Sequence, residues 1–465
     1  ALKDNDISEI TIFNCEDECF TPIDNMQLNM LSNNADWNAV MYSKIISFLK
    51  PSVEIKIQDL NLNFPRNNNN SLKSTFKRYL SYFLSFLTKK NDALIVNSYL
   101  PVIESLKLHI YLKQFPAIWM PLKITNKLYN GELRKQIVLN NSNDDFEMFV
   151  KEMIPIALPT CHLESFSKLK KIINNLQLPH SPKFIFTSNN YEFDEVFKLY
   201  VVLKKKMKTT YIIGQHGNYL PLIDNVFFKK SHAADHYLDW GKNGFGISHD
   251  GFNLKLINKN IKNNKNGNIL ILDTPYGTNN KIYNRIDENI VKEKFLHNFL
   301  LSIDKSLHKK IILKLHLTYK ERDRDYISRI KSICPLIKIE TDTSTIFDLY
   351  ANSRCVVHTY DSSGIYESMG LNIPTFCMWS NELNHIQYKY HKFYEALENN
   401  GILFFEPEYL AQKINIVFNN LDSWWLNNET INAVNQFLMQ FSNKPKKNST
   451  KVLAKRLLEI SDLGQ

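Results

Sequence analysis

Residues 355–374 read CVVHTYDSSGIYESMGLNIP, and their pattern decides the fold class. An apolar strand (CVVH) runs into Asp361, Ser362, Ser363 and Gly364 and then straight into a helix that carries Glu367. The next apolar run, IPTFCMW, reads as another strand. Strand, turn, helix, strand in this order is a parallel βαβ unit. The turn brings hydroxyls and free backbone N–H groups to a helix N-terminus, where the helix dipole also favours an anion. Phosphate binding is one reading of that turn. Plain capping of the helix by Ser or Asp is the other. Glu367, about one helical turn further in, is placed to accept hydrogen bonds from ribose hydroxyls.

The same alternation extends in both directions. Upstream come NILILDTP (strand), KEKFLHNFLLSIDKSL (helix), KKIILKLHL (strand), RDYISRIKSI (helix), LIKIET (strand) and TIFDLYANS (helix). This predicts a doubly wound sheet of about five parallel strands, a nucleotide-binding shape. His316 ends one of these strands, at the sheet edge expected for the Asp361–Gly364 turn. A His there can donate to a phosphate oxygen or protonate a leaving group, and a structural role is the alternative. Further upstream, HLESFSKLKKIINNL (helix), KFIFTSN (strand), EFDEVFKLYVVLKKKM (helix) and TTYIIGQHG (strand) repeat the pattern, and HAADHYLDWG reads as a short helix and strand. The expected fold is therefore α/β and GT-B-like: two Rossmann-like domains whose parallel sheets face a central crevice. The domains divide as 1–245 on the acceptor side, 246–435 for the nucleotide donor, and 436–465 as a helical tail.

In the first half, Gly214 and Gly217 bracket Gln215 and His216 directly after a strand. Glycines allow close backbone approach to a ligand. Gln215 and Gly217 are thus candidates for donor binding and His216 for catalysis, against a plain glycine turn. Asp194 and Glu164 are acidic groups near helix starts, a place acids also occupy for dipole reasons alone. The first 150 residues are less regular: WNAVMYSKIISFL and Lys73–Lys90 read as helices, and ALIVNSYL and FPAIWM as buried strands. The aromatic stripe Phe76, Tyr79, Tyr82, Phe83 and Phe86, with Lys73, Lys77, Arg78, Lys89 and Lys90, suits a helix resting on the inner membrane face. Core packing is the other reading.

Length and charge fit this picture. The chain has 465 residues, enough for two domains, and a formal net charge of +10 that favours acidic partners. The six cysteines are scattered and suit reduced, buried thiols better than a disulfide framework. Cys15 and Cys19 lack a matching Cys/His pair for zinc. Asp323-Arg324-Asp325 mimics a metal-binding DxD but opens a charged helix instead of ending an apolar strand, so no metal and no cofactor are expected. There is no P-loop, no complete GxGxxG and no GxSxG elbow. Without a leader or an apolar run of bilayer length, the expected location is cytoplasmic, with peripheral membrane contact.

HLESF, FTSNNYEFDEVFKLY, GQHGNY, ADHYLDWG, VVHTYDSSGIYESMGLNIPTFCMW and NNLDSWW, taken in order, resemble a family of transferases encoded in bacterial surface-polysaccharide loci. GQHGNY departs from the usual GQHGG at Asn218. That family is distantly similar to the CDP-glycerol glycerophosphotransferases and to transferases using CMP-activated Kdo, sialic or pseudaminic acid. His316 and Ser362-Ser363 match the nucleotide elements of both groups. The resemblance implies a CMP-linked donor, a nonulosonic acid or Kdo-type sugar, and a surface-glycan or lipid-linked acceptor. The β-Kdo transferases imply retention through an acidic nucleophile, which points to Asp194 with Glu164 as acid/base partner. A CDP-polyol phosphotransferase or NDP-hexose transferase is the alternative, and a nucleic-acid-binding protein a remote third.

Overall fold

The computed structural model describes residues 7–62, 72–120, 128–140, 143–218, 233–242, 246–273, 286–316, 325–341 and 344–463. Compact unit 1 comprises residues 1–96, 114–185 and 190–209, and unit 2 comprises 97–113, 186–189 and 210–465. The division at 245/246 and 435/436 follows linear position and remains an expectation. The protein is α/β with parallel strand pairing, as a GT-B transferase is.

In unit 1, strands β1 (Glu9–Asn14) and β2 (Glu54–Asp59) pair in parallel from Glu9↔Glu54 to Asn14↔Asp59. The helix Ala35–Leu49 starts where Asn34 accepts from the Trp37 N–H, and it stops at Lys50, whose φ of 45° is left-handed. Its buried face is Trp37, Val40 and Ser43, of which Trp37 and Val40 join Phe20, Leu31, Leu62 and Met153 in one core. Trp37 stacks on Phe20 with centroids 4.6 Å apart. β3 (Leu94–Val96), in unit 1, and β4 (Phe184–Thr187), of which 184–185 count to unit 1 and 186–187 to unit 2, are short and fully buried. ALIVNSYL gives only this three-residue strand, because Asn97 and Tyr99 take left-handed φ values of 47° and 62°. FPAIWM makes no strand: Ala117 and Trp119 are buried, but the segment has no ladder partner among the described residues.

In unit 2, β5 (Thr210–Gly214), β6 (His236–Leu238) and β7 (Ser248–His249) pair in parallel. The described part of HAADHYLDWG, from Ala233, supplies only β6 and a turn, not a helix. The larger sheet holds β8 (Asn268–Leu272), β9 (Ile311–Lys314), β10 (Lys338–Glu340), β11 (Ser353–His358), β12 (Thr375–Met378) and β13 (Leu403–Phe404). Their spatial order is β10-β9-β8-β11-β12-β13, the 3-2-1-4-5-6 order of a Rossmann sheet. Six strands form where about five were expected, since β13 is only two residues long.

Both faces of this sheet are covered. Ile269, Ile271, Ile311, Leu313, Cys355 and Val357 enter one core, while Leu270, Leu272, Ile312 and Val356 enter another. Period-2 alternation sends successive side chains to opposite faces. A two-sided burial therefore demands the unbroken apolar runs seen in the sequence. The chain winds outward in one direction from β8 and in the other from β11. Ligands of such sheets bind beyond the strand ends at this switch point.

Candidate active site

β11 ends at His358, and the turn Asp361–Ser362 leads into the helix Ser363–Gly370. His358 is fully buried, with Nε2 3.1 Å from Ser368 Oγ and Nδ1 3.4 Å from Ser362 Oγ. Burial pushes its pKa down to about 3, so the imidazole is neutral and holds the turn from below. Gly364 is dictated by this seat: a Cβ there would lie 2.8 Å from His358 Cε1. Ser362 stands at the N-cap without using its hydroxyl to cap the helix. Plain capping therefore does not account for this serine. The first-turn N–H groups receive no side-chain cap from it, the arrangement an anion can fill.

Asp361 sits beside these serines, its side chain only 4% exposed. It accepts from Asn218 Nδ2, lies 3.1 Å from Tyr394 Oη as acceptor, and is 3.3 Å from His385 Nε2. Tyr366 donates to Asn218 Oδ1. Burial first, then the Asp361 charge, holds the Tyr366 and Tyr394 phenols well above their usual pKa, so both are neutral donors. Asn218 is the residue that replaces the second glycine of GQHGG. Its amide ties the loop after β5 to the turn after β11.

A second group lies around Glu367. Lys255 Nζ is 3.1 Å from Glu367 Oε1 and sits over the rings of Tyr99 (5.0 Å) and Trp240 (5.3 Å). His216 packs near Tyr99, with ring centroids 6.2 Å apart. Glu367 thus meets Lys255, and a ribose would have to share it. Gln215 is spent on the backbone: its side chain accepts from Trp240 N at 2.6 Å and donates to Gly217 O at 3.0 Å. It shapes the loop that carries Gly217 and Asn218. His316 is half-buried just beyond β9, at the same sheet edge as the turn but with β8 between β9 and β11.

Asp194 and Glu164 belong to unit 1. Asp194 caps the helix Glu195–Lys205, accepting from Phe197 N (2.9 Å), Trp119 Nε1 (2.7 Å) and Asn190 Nδ2 (3.0 Å). Glu164 makes a two-pronged pair with Arg134 at 2.6 and 2.9 Å and accepts from Asn130 N. Burial alone would raise its pKa, but Arg134 and the Asn130 N–H outweigh that and lower it. A carboxyl so held is a poor proton donor. Both acids are engaged in holding the fold, and their expected catalytic roles draw no support from these contacts.

His358, His385, Tyr394 and Lys255 were not picked out from the sequence. His358 lay inside the quoted strand and read as core, and the others are distant in the chain. Asn218 was visible only as a departure from a glycine pattern.

The profile of the LIC12162 family transferases matches residues 1–457. The chain belongs to that family. No curated protein matches it significantly. Among solved structures, it is similar to HepE of Anabaena in complex with UDP and glucose: 11% identity over 81% of this chain and 100% of that one, TM-score 0.41. A glycosyltransferase of Rickettsia africae shares 15% identity over 85% and 96% of the two chains, TM-score 0.38. MnaA of S. aureus with UDP shares 11% over 98% of each, TM-score 0.39.

Proposed function

We propose that this family member is a GT-B glycosyltransferase that moves a nonulosonic acid or Kdo-type sugar from a CMP-activated donor to a surface-glycan acceptor. The observation that carries the reading is the serine turn after β11, seated on neutral His358 with Ser362 not capping its helix. Its N–H groups and the Ser362 and Ser363 hydroxyls would hold the donor phosphate, with His316 contributing from the same edge. Helix N-termini and side-chain donors then stabilise the departing phosphate in place of a divalent ion. His216, in the unit that carries the serines, is assigned the sugar carboxylate. A cytoplasmic location is part of this proposal. Among the described residues no helix is long and apolar enough to cross a membrane. Peripheral membrane contact is supported by the helix Leu72–Ser85 and the residues after it, where Tyr79, Tyr82, Phe83 and Phe86 are exposed. The side chains of Lys73, Phe76, Lys77 and Arg78 lie outside the described residues.

Thermal shift with CMP, CDP, UDP and GDP tests the reading, since a ligand that binds only the folded chain stabilises it by RT ln(1 + [L]/Kd). CMP should raise the melting temperature most, and Ser362→Ala/Ser363→Ala should weaken its binding. Each lost hydrogen bond to a charged phosphate is worth roughly 1.5–3 kcal/mol, or about 10- to 150-fold. A response to CDP alone favours a polyol-phosphate transferase, and one to UDP or GDP an NDP-hexose enzyme. No response to any nucleotide, or full CMP affinity in the double variant, overturns the phosphate site.

A further inference from the structure

Unit 1 contains a second chemical cluster that the donor reading does not use. The short turn Thr160–His162 is pinned by backbone bonds from Thr160 N to Pro22 O and from Cys161 N to Ile23 O, at 2.9 and 3.0 Å. This fixes Cys161, which is fully buried, and His162, which is exposed, against Glu195 at the start of the helix Glu195–Lys205. One donor atom from each of Cys161, His162 and Glu195 lies within 4.8 Å of the others.

Three features of the cluster point to a ligand. The first is the thiol, which is completely buried beside a carboxylate. The second is the contact between His162 Nε2 and Glu195 Oε2, 3.5 Å long. That is too long for a good N–H···O bond. It matches the edge of about 3.4 Å between two ligands bound at about 2.0–2.1 Å around a tetrahedral ion. The third is the charge. Lys198 Nζ takes only Oε1 of Glu195, at 2.9 Å, which leaves Oε2 to face the imidazole. Glu195 Oε2 thus offers its negative charge to a cation beside the buried thiol.

We propose that Cys161 Sγ, His162 Nε2 and Glu195 Oε2 bind one zinc-class divalent cation, with the fourth position open on the exposed His162 side. One sulfur, one nitrogen and one oxygen form a borderline-soft donor set that selects zinc or cobalt over magnesium or calcium. Binding replaces the thiol proton by the metal: the S–H bond breaks, an S–metal bond forms, and one proton leaves to solvent for each ion bound. The ion would staple the Thr160–His162 turn to the helix start. Adjacent Cys and His do not form a recognised zinc spacing, so only the fold brings Glu195 to them.

The test uses the full chain, stripped by a chelator and titrated with cobalt(II). Saturation at one ion per chain is expected, with thiolate-to-cobalt absorption, one proton released per ion in weak buffer, and displacement by zinc. Cys161→Ser and His162→Ala should each lose the absorption while keeping wild-type far-UV circular dichroism. Lys198→Met, which removes the competing ammonium, should tighten binding several-fold. Absence of the thiolate band overturns the site, as does an unchanged band in Cys161→Ser. Should Cys161→Ser fail to fold, Glu195→Gln with undiminished cobalt affinity overturns it as well. The CMP thermal shift should be untouched in His162→Ala, so this proposal and the donor reading stand or fall separately.

Discussion

Replacing Gly364 by alanine adds one methyl group where the helix Ser363–Gly370 rests on His358. That carbon would lie 2.8 Å from His358 Cε1, 3.3 Å from Nδ1 and 3.3 Å from Ser362 Oγ. Carbon atoms in comfortable contact stay about 3.5–4.0 Å apart, so the shortfall is about 0.7 Å. The ring has nowhere to retreat, being fully buried and held through Nε2 by Ser368. The helix start must move instead. Overpacking of this kind costs about 1–3 kcal/mol, and the better helix propensity of Ala returns up to about 1 kcal/mol. A net loss of roughly 1–2 kcal/mol follows, which lowers the urea midpoint by on the order of 0.5 M at unchanged slope. The serines move with the helix, so CMP affinity measured by calorimetry should fall roughly tenfold or more. In a His358→Ala background the same methyl enters vacated space, and its cost should shrink by at least about 1 kcal/mol. A Gly364→Ala protein with an unchanged or higher midpoint would show that the turn is not seated on His358.

Asp194 offers a clean separation of capping from catalysis. Asn caps a helix about as well as Asp, whereas Ala loses the cap and about 0.5–2 kcal/mol. Asp194→Asn keeps a cap but turns its amide NH2 toward donors that the carboxylate accepts from, Trp119 Nε1 and Asn190 Nδ2. It should therefore lose about 1–3 kcal/mol, and Asp194→Ala should lose the cap too, while protein that stays folded keeps its turnover; a hundredfold drop in transfer by folded Asp194→Asn would restore the residue to the mechanism. His358 sets a pH dependence. Its folded pKa of about 3 lies below the ordinary 6.5, so between those values the unfolded chain binds more protons and stability falls as pH drops. The slope from this group is at most about 1.4 kcal/mol per pH unit. His358→Gln should flatten that part of the stability–pH curve, and a curve of unchanged shape would refute the buried neutral histidine. For membrane contact, Tyr82→Ser/Phe83→Ser/Phe86→Ser should abolish sedimentation with anionic liposomes at physiological salt; an unchanged bound fraction sinks the idea.

The large sheet of unit 2 was legible because a strand buried on both faces must be an unbroken apolar run, and NILIL, IILK and CVVH are such runs. β13 was not legible, since two residues carry no periodicity. FPAIWM misled because Ala117 and Trp119 are buried by packing, which looks in sequence like a strand. The serine turn was readable as local chemistry. Its support was not: His358 looked like core, and Asn218, His385 and Tyr394 reach Asp361 only through the tertiary fold. For Asp194 and Glu164 the residue type was visible, but their partners Trp119 and Arg134 were not.

The helix Val102–Tyr111 belongs to unit 2, where it packs against the helix Ser449–Leu463, and Thr450 donates to the buried Glu104 across a sequence separation of 346 residues. During synthesis the earlier helix therefore leaves the ribosome long before its cover exists. At about 5–20 residues per second the wait is roughly 20–70 s. Throughout that time Leu108 and His109, both buried in the finished fold, have no late helix to shelter them. The nascent chain thus carries an early segment that packs on a much later helix, which makes it a natural client for chaperones that shield apolar surface until that helix emerges.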